Sequence, residues 1–178
     1  MMQKHLIVYS KGSRVLHWLI AFVVIGMLAV SFFLDDFPEQ YVDLAFTLHK
    51  SLGITVFFLM LVRVVWISIA GRPELPYDTP KWEHFLSRFV QYSFYILLIV
   101  MPLSGWVMSV AANEIPYYFG LFHFSLPGIE PDKNLAAFMN KTHKTIAWII
   151  IGLLVLHVAG AIKHHFINKD DVLRRMLP

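Results

Sequence analysis

The chain has 178 residues, a length that suits a single domain over 1–178, with 57% hydrophobic and only 15% charged residues and a net charge of +3. Ordinary soluble domains carry ~45–50% apolar residues, and one small domain cannot bury the surplus, so lipid is its expected solvent. The absence of cysteine excludes disulfides, thiolate-held iron–sulfur clusters and thioether-attached haem. No nucleic-acid-binding motif, low-complexity run or clear repeat is present.

Four segments have the length and apolarity to cross a membrane, which takes about 20 residues each. The first, 15–34, lacks Lys, Arg, Asp and Glu. It is too long for a signal peptide and has no small-residue cleavage site, so no cleavable leader is expected. The second, 49–70, carries Arg63 and is closed by Gly71-Arg72-Pro73. The third, 89–112, contains Pro102, which predicts a kink or local break, and is followed by Asn113. The fourth is 143–164, with His157 inside it. Short connections between them predict an all-α, integral membrane, four-helix up-down-up-down bundle.

Basic residues set the orientation. Lys4, Lys11 and Arg14 precede the first span; Arg72, Lys81 and Arg88 lie between the second and third; Lys163, Lys169, Arg174 and Arg175 follow the fourth. These regions share one side, so both termini are expected in the cytoplasm, and in a bacterium the bundle sits in the inner membrane with the other side periplasmic. From Asp35 to Lys144, in the connections and at the outer span ends, that periplasmic side holds Asp35, Asp36, Glu39, Asp43, Glu114, Glu130 and Asp132 against Lys50, Lys133, Lys141 and Lys144, an acidic excess.

The histidines fall in two layers on this topology. His17 and His157 lie at the inner level, His49 and His143 at the outer. His143 and His157 are fourteen residues apart on one helix, just under four turns and roughly 21 Å of rise, so they share a face. Imidazoles on facing helices are common axial ligands of haem iron. Four of them in matched pairs fit two bis-histidine haems, and without cysteine these are non-covalent haem b. The competing reading is a set of interhelical hydrogen bonds. Gly53 and Gly160, each about a turn past a histidine, are expected to leave room for a flat macrocycle, and Gly26 to serve helix packing. Arg63, fourteen residues after His49, reaches the inner level on the same face of its helix. There it either pairs with a haem propionate or snorkels to the inner surface. Lys50 and Lys144 stand in the same relation to the outer level. Trp18, Trp106 and Trp148 suit interfacial anchoring, with Trp18 and Trp148 alternatively against a haem edge. His164 ends the fourth span. Its readings are a hydrogen-bonding and proton-delivering partner of a quinone, or a solvated helix end. His5, His84 and His123 read as surface histidines.

The motifs RVLHWLI, LHKSLGI, THKTIAW and VLHVAGAIKHHF, with the ending KDDVLRRMLP, together resemble the small bacterial cytochrome b561 family across essentially the whole chain. The resemblance implies four inner-membrane helices and two b haems held at the positions of His17, His49, His143 and His157. It implies a quinone site at the position of His164. A characterised member is a superoxide:ubiquinone oxidoreductase, which implies an oxidoreductase passing electrons from periplasmic superoxide to ubiquinone. Arg88 and Gln91 at the third-span entrance depart from that member, which carries a histidine there. The acidic outer side opposes steering of an anion.

Three functions follow as expectations. The first is a di-haem b carrier moving electrons from a periplasmic one-electron donor to ubiquinone. The second is a haem-b anchor subunit for a partner dehydrogenase or a periplasmic electron-donor protein, docked on the 113–142 connection. The third is a bundle that uses its histidines as proton relays.

Overall fold

The chain builds four long helices, each started and stopped by local chemistry. The structure is a computed structural model and describes residues 8–77 and 79–177. Lys4 and His5 lie outside the described residues, as does the side chain of Asp35. Helix α1 spans Lys11–Ser31, and the Ser10 hydroxyl caps it by accepting from the Ser13 N–H at 3.3 Å. Helix α2 spans Glu39–Ala70, beginning directly after Pro38. It ends at Gly71, whose φ of +71° is a left-handed conformation suited to glycine. Helix α3 spans Lys81–Ala111, again directly after a proline, Pro80. Helix α4 spans Lys133–Ile162, capped by the Asp132 carboxylate, which accepts from Asn134 and Leu135 N–H groups. A π-helical turn, Lys163–Asn168, continues it.

All four helices are long and apolar enough to cross a membrane. The core they share draws Ile20 and Leu28 from α1, Val56 and Met60 from α2, Leu98 from α3, and Ile146 and Ile150 from α4. Outward faces remain apolar, with Phe22, Val65, Ile69, Ile96 and Val155 all well exposed. In water that arrangement would be costly; against lipid tails it is the stable one. Pro102 lies inside an uninterrupted α3, so it does not break the helix.

The helices outrun the apolar windows. Helices α2 and α4 begin ten residues before 49 and 143, and 32 residues of α2 rise about 48 Å, well beyond a ~30 Å hydrocarbon core. The polar first turns therefore stand clear of lipid at one end of the bundle. At that end the connection after α3 folds into a two-stranded hairpin, β1 Tyr117–Tyr118 paired antiparallel with β2 Phe122–His123. Alternation in the sequence was too short to mark it.

The opposite end is tied by the C-terminal segment. Tyr9 N–H donates to the Arg175 carbonyl, Trp18 Nε1 to the Met176 carbonyl at 2.9 Å, and Arg14 to the Leu177 carbonyl at 2.7 Å. Arg175 donates in turn to the Glu74 carbonyl in the α2–α3 connection. The start of α1, residues 175–177 and that connection thus meet at one face.

Candidate functional site: two stacked histidine pairs

The bundle brings His17 of α1 to His157 of α4, and His49 of α2 to His143 of α4. Ring centroids are 6.1 Å apart in the first pair and 6.3 Å in the second, with planes at 61° and 72°. Neither pair is hydrogen-bonded internally. A metal held between two imidazole nitrogens at about 2 Å from each sets ring centroids roughly 6 Å apart. Among the described residues no three His, Cys, Asp or Glu side chains gather as a metal cluster. Two imidazoles leave most of a metal's coordination shell open, so this donor set suits an ion whose other ligands come from a planar macrocycle.

His143 is the best-oriented of the four. Its Nδ1 lies 3.0 Å from the Met101 carbonyl and 3.1 Å from Ser104 Oγ. Donation from Nδ1 to that carbonyl leaves Nε2 free as a ligand, the orienting arrangement metal-binding histidines use. Gly105 makes the approach possible. A Cβ there would stand 3.0 Å from the His143 Cε1 and 3.2 Å from Nδ1. Ser104 and Gly105, in the "MPLSGW" segment, were missed in the sequence because helix periodicity does not say which α3 residues back a histidine on α4.

Room for a flat group lies beside both pairs. A Cβ on Gly53 would meet only Met27 Cε, at 3.8 Å, and one on Gly160 nothing within 4 Å. Gly26 corrects an expectation: a Cβ there also meets nothing within 4 Å, so Gly26 does not serve close helix packing. It lines an apolar cavity of about 310 Å³ that includes Met27, Leu48, His49 and Leu52.

Arg63 does reach the inner level. Its guanidinium donates to the Ser13 carbonyl at 3.0 Å and to His17 Nδ1 at 3.3 Å, and the side chain is half-buried rather than drawn to the surface. Lys50 instead pairs with Glu114, Nζ to Oε2 at 2.9 Å. Lys141 and Lys144 are exposed on α4.

His164 is buried, not a solvated helix end. Its Nδ1 sits 2.6 Å from Asp170 Oδ2 and 3.3 Å from Asn168 Nδ2, and its Nε2 3.7 Å from Glu83 Oε2. Glu83, also buried, accepts from Lys163 Nζ at 2.7 Å. The π-helical turn makes this cluster by turning His164 inward, a use of π-bulges common at functional sites. Glu83 carried no signal in the sequence beyond its charge, and Asp170 entered only as part of the KDDVLRRMLP ending, with no link to His164.

The tryptophans divide. Trp106 is buried, stacks on Phe124 at 4.7 Å and donates to its carbonyl at 2.8 Å, so it pins the outer connection rather than anchoring at an interface. Trp18 lies edge-on to His17 at 5.5 Å, and Trp148 is exposed against Phe32. His123 is exposed and stacked on Tyr117. Gln91 accepts from Arg72 at 3.0 Å and Arg88 at 3.3 Å.

This is a membrane-embedded four-helix bundle with two histidine pairs stacked along one helix. Residues 8–178 match the family described as prokaryotic cytochrome b561. The chain is 34% identical to cytochrome b561 homolog 2 of Escherichia coli (strain K12), over 95% of this chain and 90% of that protein. It is 28% identical to cytochrome b561 homolog 1 of the same organism, over 96% and 97%. It is also 28% identical to the probable superoxide oxidase CybB of Yersinia pestis, over 96% of each. The chain belongs to the prokaryotic cytochrome b561 family, as its histidine motifs indicated, and so to the bacterial membrane proteins that carry electrons through haem b.

Proposed function

We propose that the protein is a di-haem b carrier that takes electrons from a one-electron donor on the periplasmic side and delivers them to ubiquinone near the cytoplasmic side. The observation that carries this reading is the stacking of two internally unbonded histidine pairs, with centroids at 6.1 and 6.3 Å, along the single helix α4. His49 and His143 would hold the outer haem, His17 and His157 the inner. Haem b, when bound, supplies a one-electron ferric/ferrous couple in each layer.

The chain's own residues set the conditions. Met101 and Ser104 hold His143 with Nε2 available. Arg63 donates to His17 Nδ1, which therefore accepts; with His17 holding haem through Nε2, its proton would sit on Nδ1 and the guanidinium would be free to pair with a propionate. His164, held by Asp170 at the same end as the inner pair, is the residue we assign to quinone and to proton delivery. The excess of Lys and Arg at that end supports a reading in which both termini are cytoplasmic and the bundle sits in the bacterial inner membrane. The resemblance to a probable superoxide oxidase suggests superoxide as one such donor, an anion whose approach the acidic outer side slows.

Protein purified from bacterial membranes should contain two haem b per chain by pyridine haemochromogen assay. Superoxide or another one-electron donor should reduce it, and a soluble ubiquinone analogue should reoxidise it. A haem-loaded preparation that no quinone analogue reoxidises would sink the proposal.

A second reading, a haem-b anchor for a dehydrogenase or periplasmic electron-donor protein, draws on the hairpin, whose tip exposes Leu121 and Phe122. It requires a partner that co-purifies stoichiometrically and without which quinone reduction fails.

A further inference from the structure

We infer that Glu114 sets the charge selectivity of electron entry at the outer histidine pair, by cancelling the charge of Lys50. The inference rests on the proposed carrier function.

Three consecutive residues of α2 hold three different partners. His49 faces His143. Lys50 reaches Glu114 Oε2 at 2.9 Å and the Glu114 carbonyl at 3.5 Å. Ser51, fully buried, binds the hairpin, accepting from Phe119 N–H at 2.8 Å. Of the two cations that directly follow an outer-site histidine, Lys50 and Lys144, the first is therefore neutralised by the segment that covers this end of the bundle. Glu114 is delivered by a fixed turn rather than a loose loop. Asn113 takes a φ of +61°, and the Glu114 N–H donates to the Ser109 carbonyl at 2.8 Å.

The pair does little for stability, because the Glu114 side chain is 70% exposed and such pairs are screened by solvent. Its effect on the local field is larger. With Glu114 ionised, the Lys50 site presents a dipole; with Glu114 neutral, a full positive charge beside the outer pair. The other charges at this end are screened by solvent: Lys133, Lys141 and Lys144 are exposed on α4, and Asp43, Glu130 and Asp132 are exposed too. An ionised Glu114 thus disfavours small anionic donors and accepts neutral or cationic ones. Entry is an outer-sphere step: the donor loses one electron, the acceptor held by His49 and His143 gains one, and no bond or proton moves.

The test uses the full-length, haem-loaded protein in vesicles, reduced with dithionite and then oxidised from outside by stopped flow. Ferricyanide is the anionic probe and hexaammineruthenium(III) the cationic one. At low ionic strength Glu114→Gln should raise the ferricyanide rate and lower the hexaammineruthenium rate, changing their ratio about fivefold or more. Lys50→Gln should shift the ratio the opposite way, and the double variant should return it towards wild type. These differences should fade at ~0.5 M salt, where screening acts within a few ångströms. If Glu114→Gln accelerates both probes equally, the carboxylate is only a clasp on the cover and the inference is overturned; an unchanged ratio overturns it too. A wild-type preparation without haem absorbance instead overturns the carrier reading beneath it.

Discussion

At the scale of single residues, the outer pair depends on what stands behind His143. Gly105→Ala would bring a methyl to 3.0 Å from the imidazole, tighter than nine in ten real contacts, and the ring must give by a few tenths of an ångström, which loosens its bond to Met101. We expect a loss of outer-site haem, read as a fall from two haems per chain towards one, with helical circular dichroism unchanged. His49→Ala and His143→Ala should give the same single-haem product, and His17→Ala should remove the inner haem instead. A contrasting change is Gly12→Ala. There a Cβ would lie 2.5 Å from the Trp66 ring rather than against a histidine. It should cost about 1–3 kcal/mol of stability through overpacking without altering the haem spectrum; thermal melting in detergent checks the first part and absorbance the second.

At the scale of elements, α2 couples the membrane to its cover. The hairpin turn holds Phe119 at φ +47° and Gly120 at +73°, and a left-handed phenylalanine is strained. The Ser51 hydroxyl satisfies the Phe119 N–H and so helps hold that conformation. Ser51→Ala leaves the amide without its partner and should cost about 1–3 kcal/mol. Hydrogen–deuterium exchange should then rise at Phe119 and Leu121 while the centre of α4 stays protected. How far these elements were legible follows from the same contrast. The heights of His17, His49, His143 and His157, and the inner reach of Arg63, came from counting turns, because helix rise is nearly constant. The Lys50–Glu114 pair, the Ser51–Phe119 bond and the inward turn of His164 onto Asp170 did not. Each joins an element to an irregular segment, whose path no periodicity records. Gly26 misled for a related reason: a small residue marks a face that needs space, and the sequence does not say whether a helix or a cavity uses it.

At the scale of the whole molecule, the C-terminal segment works as a belt across the inner end. It binds α1 through Trp18 and Arg14 and the α2–α3 connection through Glu74. The same segment carries Asp170, which holds His164. Deleting residues 169–178 should therefore lower the melting temperature by several degrees and impair quinone reduction, while both haems remain, since no residue of the two histidine pairs is removed. Loss of haem from that variant would show that the belt also positions His17.

Helix α4 supplies one member of each histidine pair, and it is the last of the four to leave the ribosome. Biogenesis inherits an order from this. A nascent chain with three helices already in the membrane has His17 and His49 in place and no partner for either. Neither layer can close until α4 has been made, so loading of both is expected to wait on the docking of a single helix. Cells starved of haem should accumulate full-length chains with α4 loosely packed, which are better substrates for membrane proteases than the loaded form.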